Sequence, residues 1–242
     1  MTFGTIFRTI FSYLLLTLFL LSITPLLLII VCIPQRTRYK SKVIFFLVGW
    51  MYRITLWCSL LPIRIYGKEY IPKTPAIFVA NHQSALDIPL LGVLCNGYPH
   101  IWLARSEVMQ MKFVRLVLPF FAVIVNLSDA RQAMRSVREL LNISQETNAH
   151  IVLFPEGQRY IDGEVHEFLR GFVMLAKKTG RPVVPVCILG VHNAYPPQSF
   201  WMHWFPITVV VGKPFEYCPP ETDEEFRVRV QEWFFMQTGQ KR

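Results

Sequence analysis

His82 and Asp87 stand five positions apart in NHQSALDIP, residues 81–89. An imidazole can accept a proton near neutral pH, and a carboxylate beside it fixes which ring nitrogen carries the hydrogen. In such a pair the histidine is a base and the aspartate holds it in the working orientation. The stretch also has a plainer reading, because Ser84 and Asp87 have the spacing of a capping box. On one regular helix a five-residue step turns two side chains about 140° apart, so they would not meet. A strand end, a turn and a helix start would bring them together. AIFVA before the motif and ALDIPLLGVL within and after it supply that context, so cap and pair are compatible.

FPEGQR, Phe154 to Arg159, follows another apolar run, HIVLF. Pro155 and Gly157 predict a tight turn. Glu156 and Arg159 then place charge at the carboxyl end of a strand, where α/β domains bind ligands. A guanidinium suits a phosphate because its forked donors match two oxygens. Taken alone, the loop reads equally as a solvated turn with a surface ion pair.

Both motifs need a scaffold, and the chain supplies one after Leu61. IRIYG, AIFVA, HIWLA, FAVIV, HIVLF, PVVPVCILG and ITVVVG read as strands. Between them, SDARQAMRSVRELL reads as a helix with Asp129 at its cap and Met134, Val137 and Leu141 on one face. VHEFLRGFVMLAKK reads as a second helix, with Phe168, Phe172 and Leu175 inward and Gly180 at its end. A last helix opens at Thr222, with Glu225 three later, and turns Phe226, Val230, Trp233 and Phe234 inward. Apolar strands alternating with helices predict an α/β fold: a mostly parallel central sheet flanked by helices.

The first 61 residues differ. Of the 242 residues, 52% are hydrophobic, and none from Thr9 to Gln35 is charged. About 20 such residues span a bilayer core, longer than the apolar region of a signal peptide. Val43–Ile63 is a second apolar segment, with Arg53 its single charge and Trp50, Tyr52 and Trp57 suited to an interface. Between the two lies PQRTRYKSK, basic at Arg36, Arg38, Lys40 and Lys42. Residues 1–61 are therefore expected to be a membrane-anchoring two-helix segment, and 62–242 the α/β domain. Basic residues favour the cytoplasmic side, which places the main domain there and suggests a single span or a half-sunk helix pair, bent at Pro25. The net charge of +9 suits anionic lipid; no nucleic-acid module is visible, and no nucleic-acid partner is expected. Five cysteines without metal or redox spacing read as reduced thiols, and the remaining histidines form no ligand pattern. Neither metal nor cofactor is expected.

NHQSALD and FPEGQR, in this order and at this separation, resemble the signature blocks of the 1-acylglycerol-3-phosphate acyltransferases, which make phosphatidic acid from lysophosphatidic acid. VVPVCILG is similar to the family's fourth block, and FLRGFVMLA to the segment joining the third and fourth. The resemblance implies transfer of an acyl chain from acyl-CoA or acyl-carrier protein to the sn-2 hydroxyl of 1-acylglycerol 3-phosphate. His82 would be the base and Asp87 its partner, with the lipid hydroxyl in the place of a hydrolase serine. Glu156 and Arg159 would bind the acceptor phosphate, with Gly157 allowing close approach. Arg105 stands where the second block has a lysine; Arg105 or backbone amides near Gly157 would meet the developing oxyanion. The end of that block departs from the family: Asn126 and Leu127 replace an expected Asp-Arg, with Arg131 nearby. That departure leaves another lysophospholipid or a lyso-aminolipid as a rival acceptor. Two further rivals are a non-catalytic lipid-binding protein and a hydrolase using Ser84, although Ser84 lacks a nucleophile-elbow sequence.

Overall fold

A computed structural model describes residues 2–110, 115, 118–126 and 128–240. All seven expected strands form: β1 (Ile63–Tyr66), β2 (Ile77–Ala80), β3 (His100–Arg105), β4 (Ala122–Val125), β5 (His150–Leu153), β6 (Val183–Leu189) and β7 (Ile207–Val211). They make one sheet in the order β1-β7-β6-β2-β5-β3-β4. Every pairing is parallel except β6 with β7. The central strands are apolar throughout because helices cover both faces. Ile77 and Val79 of β2 enter one core with Leu140, Phe168, Phe172, Phe226 and Phe234. Phe78 and Ala80 enter the other, with Leu90, Leu91, Leu94 and Val191. This is the two-residue period of a strand buried on both sides.

The helices are α1 (Phe3–Cys32), α2 (Gln35–Lys40), α3 (Lys42–Cys58), α4 (Asp87–Leu94), α5 (Ala130–Thr147), α6 (Gly171–Thr179), α7 (Val191–Ala194) and α8 (Asp223–Thr238). The side chain of Asp129 caps α5, and Thr222 with Glu225 forms a complete capping box on α8. The buried face of α5 is Val137, Leu140 and Ile143, whereas Met134 is half exposed and departs from the expected face. The second expected helix is shorter than its pattern. Helix α6 begins at Gly171, because the preceding backbone is bonded elsewhere. Leu169 N–H donates to Pro155 O, His166 N–H to Glu156, and Phe168 N–H to Gln231.

Helix α1 is long and apolar enough to cross a membrane by length and composition, and it continues through Pro25. Its first turns are seated on the segment Phe200–Pro206. Thr9 Oγ accepts from Met202 N–H at 3.0 Å, and Tyr13 O–H donates to Phe200 O at 3.1 Å. Met202 is buried there, while Phe200 and Trp204 face outward. The basic connector folds into α2. Arg38 is buried, donating to Val31 O at 3.1 Å and lying over the Phe120 ring, whereas Arg36, Lys40 and Lys42 are exposed. Tyr39 and Phe45 join the main core, so the N-terminal segment packs continuously with the sheet.

Candidate active site

The sheet order brings the motifs together. Strands β2, β5 and β3 are adjacent and parallel, so Asn81–Asp87, Phe154–Arg159 and Arg105 emerge side by side at one end. Asn81 anchors the first loop: its amide donates to Ile188 O at 2.8 Å and accepts from Ile188 N–H at 2.7 Å.

His82 and Asp87 meet. His82 Nδ1 lies 2.9 Å from Asp87 Oδ2, which also accepts Gln83 N–H at 2.6 Å and Ser84 N–H at 2.7 Å. The bond to Ser84 has the form of one half of the expected capping box, but α4 begins at Asp87 with Leu86 before it, so Ser84 is not the helix cap and the oxygen ties the preceding turn while it holds the imidazole. A carboxylate oxygen against Nδ1 requires the hydrogen there, which leaves Nε2 as the basic nitrogen. Nε2 has no partner among the described residues, and the side chain retains 14% exposure. The ring lies flat on Phe154, centroids 3.8 Å apart and planes 8° off parallel.

Ser84 is buried, and its hydroxyl donates to Tyr195 O at 2.7 Å. That geometry makes it a loop tie and removes the support for a serine nucleophile.

Glu156 is buried too. Its two oxygens accept His82 N–H at 2.9 Å and His166 N–H at 3.1 Å. Burial pushes its carboxyl up to about 7, against the pull of those two amides. Its carboxylate is thus committed to the protein's own backbone rather than turned toward an acceptor phosphate.

Gly157 has φ of +76°, and a Cβ there would lie 2.7 Å from Leu169 Cδ1. Its N–H donates to Phe154 O, so this amide is already used by the turn and is not free for an oxyanion. Arg105 reaches the same turn, donating to Gly157 O at 3.3 Å and forking onto Glu107. Arg159 is exposed and has no hydrogen-bond or ionic partner among the described residues.

At the departing second block, Asn126 caps a turn through Ser128 and touches Gln132. Leu127 lies outside the described residues. Arg131, Arg135 and Arg138 are exposed on α5. Arg135 and Arg138 line an open cavity of about 290 Å³ between α2 and α5 that shares no residue with the His82 loop. Asn81 and Phe154 belong to the site beyond the expected residues, and each stands inside a motif.

Catalytic-type geometry on an α/β sheet of this order defines a class, and comparison with known proteins agrees. The acyltransferase family model matches residues 62–189, more than half of the chain, and the chain belongs to that family. It is 30% identical over 176 residues to a 1-acyl-sn-glycerol-3-phosphate acyltransferase of Limnanthes douglasii, covering 72% of this chain and 60% of that one. The protein of the same name from Pseudomonas aeruginosa is 27% identical over 213 residues, covering 83% and 78%. The crystal structure of the 1-acyl-sn-glycerophosphate (LPA) acyltransferase PlsC from Thermotoga maritima superposes with a TM-score of 0.78 at 25% identity, covering 98% of this chain and 95% of that one.

Proposed function

We propose that this protein transfers an acyl group from an acyl thioester, acyl-CoA or acyl-carrier protein, to the sn-2 hydroxyl of 1-acylglycerol 3-phosphate, giving phosphatidic acid. The observation that carries the reading is the His82–Asp87 pair, with Nδ1 held at 2.9 Å and Nε2 without a partner among the described residues. His82 Nε2 takes the hydroxyl proton as the acceptor oxygen attacks the thioester carbon. Asp87 stabilises the imidazolium. The tetrahedral intermediate collapses, the carbon–sulfur bond breaks, and the leaving sulfur takes the proton from Nε2. No acyl-enzyme is needed. Exposed Arg159 binds the acceptor phosphate, with Arg105 beside it as donor toward the developing oxyanion. Glu156 serves as a positioning residue that fixes the His82 backbone. Residues 1–61 anchor the α/β domain, residues 62–242, to the bilayer on its cytoplasmic side, with α1 as the apolar element.

The test uses purified protein and His82→Ala in detergent–lipid micelles. Labelled oleoyl-CoA, then acyl-carrier protein, is supplied with lysophosphatidic acid, lysophosphatidylcholine, lysophosphatidylglycerol or a lyso-ornithine lipid. Phosphatidic acid formed by wild type and absent with His82→Ala is the expected result. Transfer to another acceptor alone overturns the substrate assignment, and folded protein inactive with both donors overturns the reaction.

A further inference from the structure

The ring that backs His82 is itself backed. Trp102 stacks beyond Phe154, centroids 5.8 Å apart and planes 28° off parallel. The Trp102 indole N–H donates to the Tyr52 hydroxyl oxygen at 3.1 Å. Tyr52 is buried and belongs to α3, outside the sheet and its loops. The polarity of the remaining bonds follows from chemistry. His100 Nδ1 lies 2.9 Å from Tyr98 O, a carbonyl that only accepts, so Nδ1 carries the hydrogen. His100 Nε2 is then an acceptor, and the Tyr52 O–H donates to it at 3.1 Å. Burial lowers the His100 pKa to about 4, so the ring stays neutral and this polarity persists at neutral pH. The Tyr52 hydroxyl thus has one donor and one acceptor bond, which fix its place.

The same ring touches the other half of the pair. A Cβ on Gly92 would lie 2.4 Å from Tyr52 Cε2. Gly92 sits on α4, the helix that Asp87 begins. Its missing side chain lets Tyr52 pack directly against that helix. One side chain of α3 therefore bears on His82 through Trp102 and Phe154, and on Asp87 through α4.

We infer that Tyr52 is a positioning residue for the His82–Asp87 pair, coupling the seating of α3 to the orientation of the imidazole through the Trp102–Phe154 stack. The inference rests on the acyl-transfer reading given above. The opposite side of α3 exposes Val43, Phe46, Trp50 and Trp57.

The experiment compares Tyr52→Phe, Phe154→Leu and the double variant, each checked for folding by its melting temperature. Tyr52→Phe removes only the hydroxyl and keeps the ring against Gly92. Phe154→Leu removes the ring under His82. Each single variant is expected to lower kcat on the order of tenfold with little change in acceptor KM. Phe154→Trp, which keeps an aromatic face under the imidazole, should restore most of the loss. The double variant should be no worse than Phe154→Leu alone, because a relay already broken cannot be broken again. Losses that multiply, or a Tyr52→Phe enzyme with wild-type kcat, overturn the inference. A readout independent of turnover separates this from failure of the functional reading. In protein labelled with ¹⁵N-histidine, the His82 Nδ1–H signal should exchange faster with water in Tyr52→Phe. An unchanged signal overturns the positioning role even if no acyl acceptor is ever found.

Discussion

The loops after β2 and β5 stand side by side and are built in opposite ways. In the first, Asn81, Gln83, Ser84 and Asp87 are all buried and each is tied to backbone, leaving His82 Nε2 and the buried Asp87 Oδ1 as the atoms without a partner among the described residues. In the second, the chain passes within four residues from buried Glu156 to Arg159, exposed and without a partner among the described residues. On the proposed reading the difference separates two tasks. Proton transfer needs a ring fixed to a fraction of an ångström, and recognition of a mobile lipid head group does not.

The contrast breaks most completely at Asp87. Asp87→Asn should lower kcat by about 10³–10⁴-fold, because a neutral amide neither selects the Nδ1–H tautomer nor stabilises the imidazolium. Steady-state rates with whichever acceptor the panel assay selects check this, with folding confirmed separately.

Glu156 gives the next largest effect, and it depends on pH. Its folded-state pKa is raised from 4.5 to about 7 by burial. The stability this contributes is full below about pH 4.5 and is lost as pH rises through about 7. Relative to Glu156→Gln, which does not titrate, wild type should lose on the order of 3 kcal/mol between pH 5 and pH 8.5. Unfolding followed at several pH values checks it. A constant difference would show that the carboxyl is not perturbed.

Arg159→Ala sharpens the comparison from the other side. It should raise acceptor KM by about 10–100-fold, the worth of a charged hydrogen bond, and leave kcat nearly unchanged. A loss confined to kcat would place Arg159 among the fixed groups instead.

The smallest effect is expected at Ser84. Ser84→Ala should cost about 1 kcal/mol of stability through the lost bond to Tyr195 and leave turnover intact. Abolished turnover in folded protein would revive the serine mechanism.

Much of this was legible in the sequence, for identifiable reasons. The strands showed because sheets covered on both faces demand unbroken apolar runs, and IFVA, HIVL and VVPVCIL have no other use. The caps at Asp129 and Thr222 showed because orphan amides select few side chains. Strand order did not show, since apolar runs carry no address. Adjacency of β2 and β5, which brings His82 over Phe154, came only with the structure. The stretch Val165–Arg170 kept a helical apolar period yet stays non-helical, because the FPEGQR turn and α8 claim its amides. Arg38 is one of four basic residues of the connector in the sequence and is buried in the fold, since the chain alone does not reveal that Val31 O would be waiting. The contacts of Tyr52 with Trp102, His100 and Gly92 were hidden by its setting, a membrane-like segment in which an aromatic reads as an interface residue.

The position of β2 has a consequence for synthesis. Its neighbours in the sheet, β5 and β6, begin at His150 and Val183, long after His82 and Asp87 have left the ribosome. A nascent chain ending before His150 has no partner for either edge of β2, while α1 is already free to find a bilayer. On the proposed reading, anchoring precedes assembly of the reactive centre, and the His82 loop is set only once the second half of the domain has closed around it.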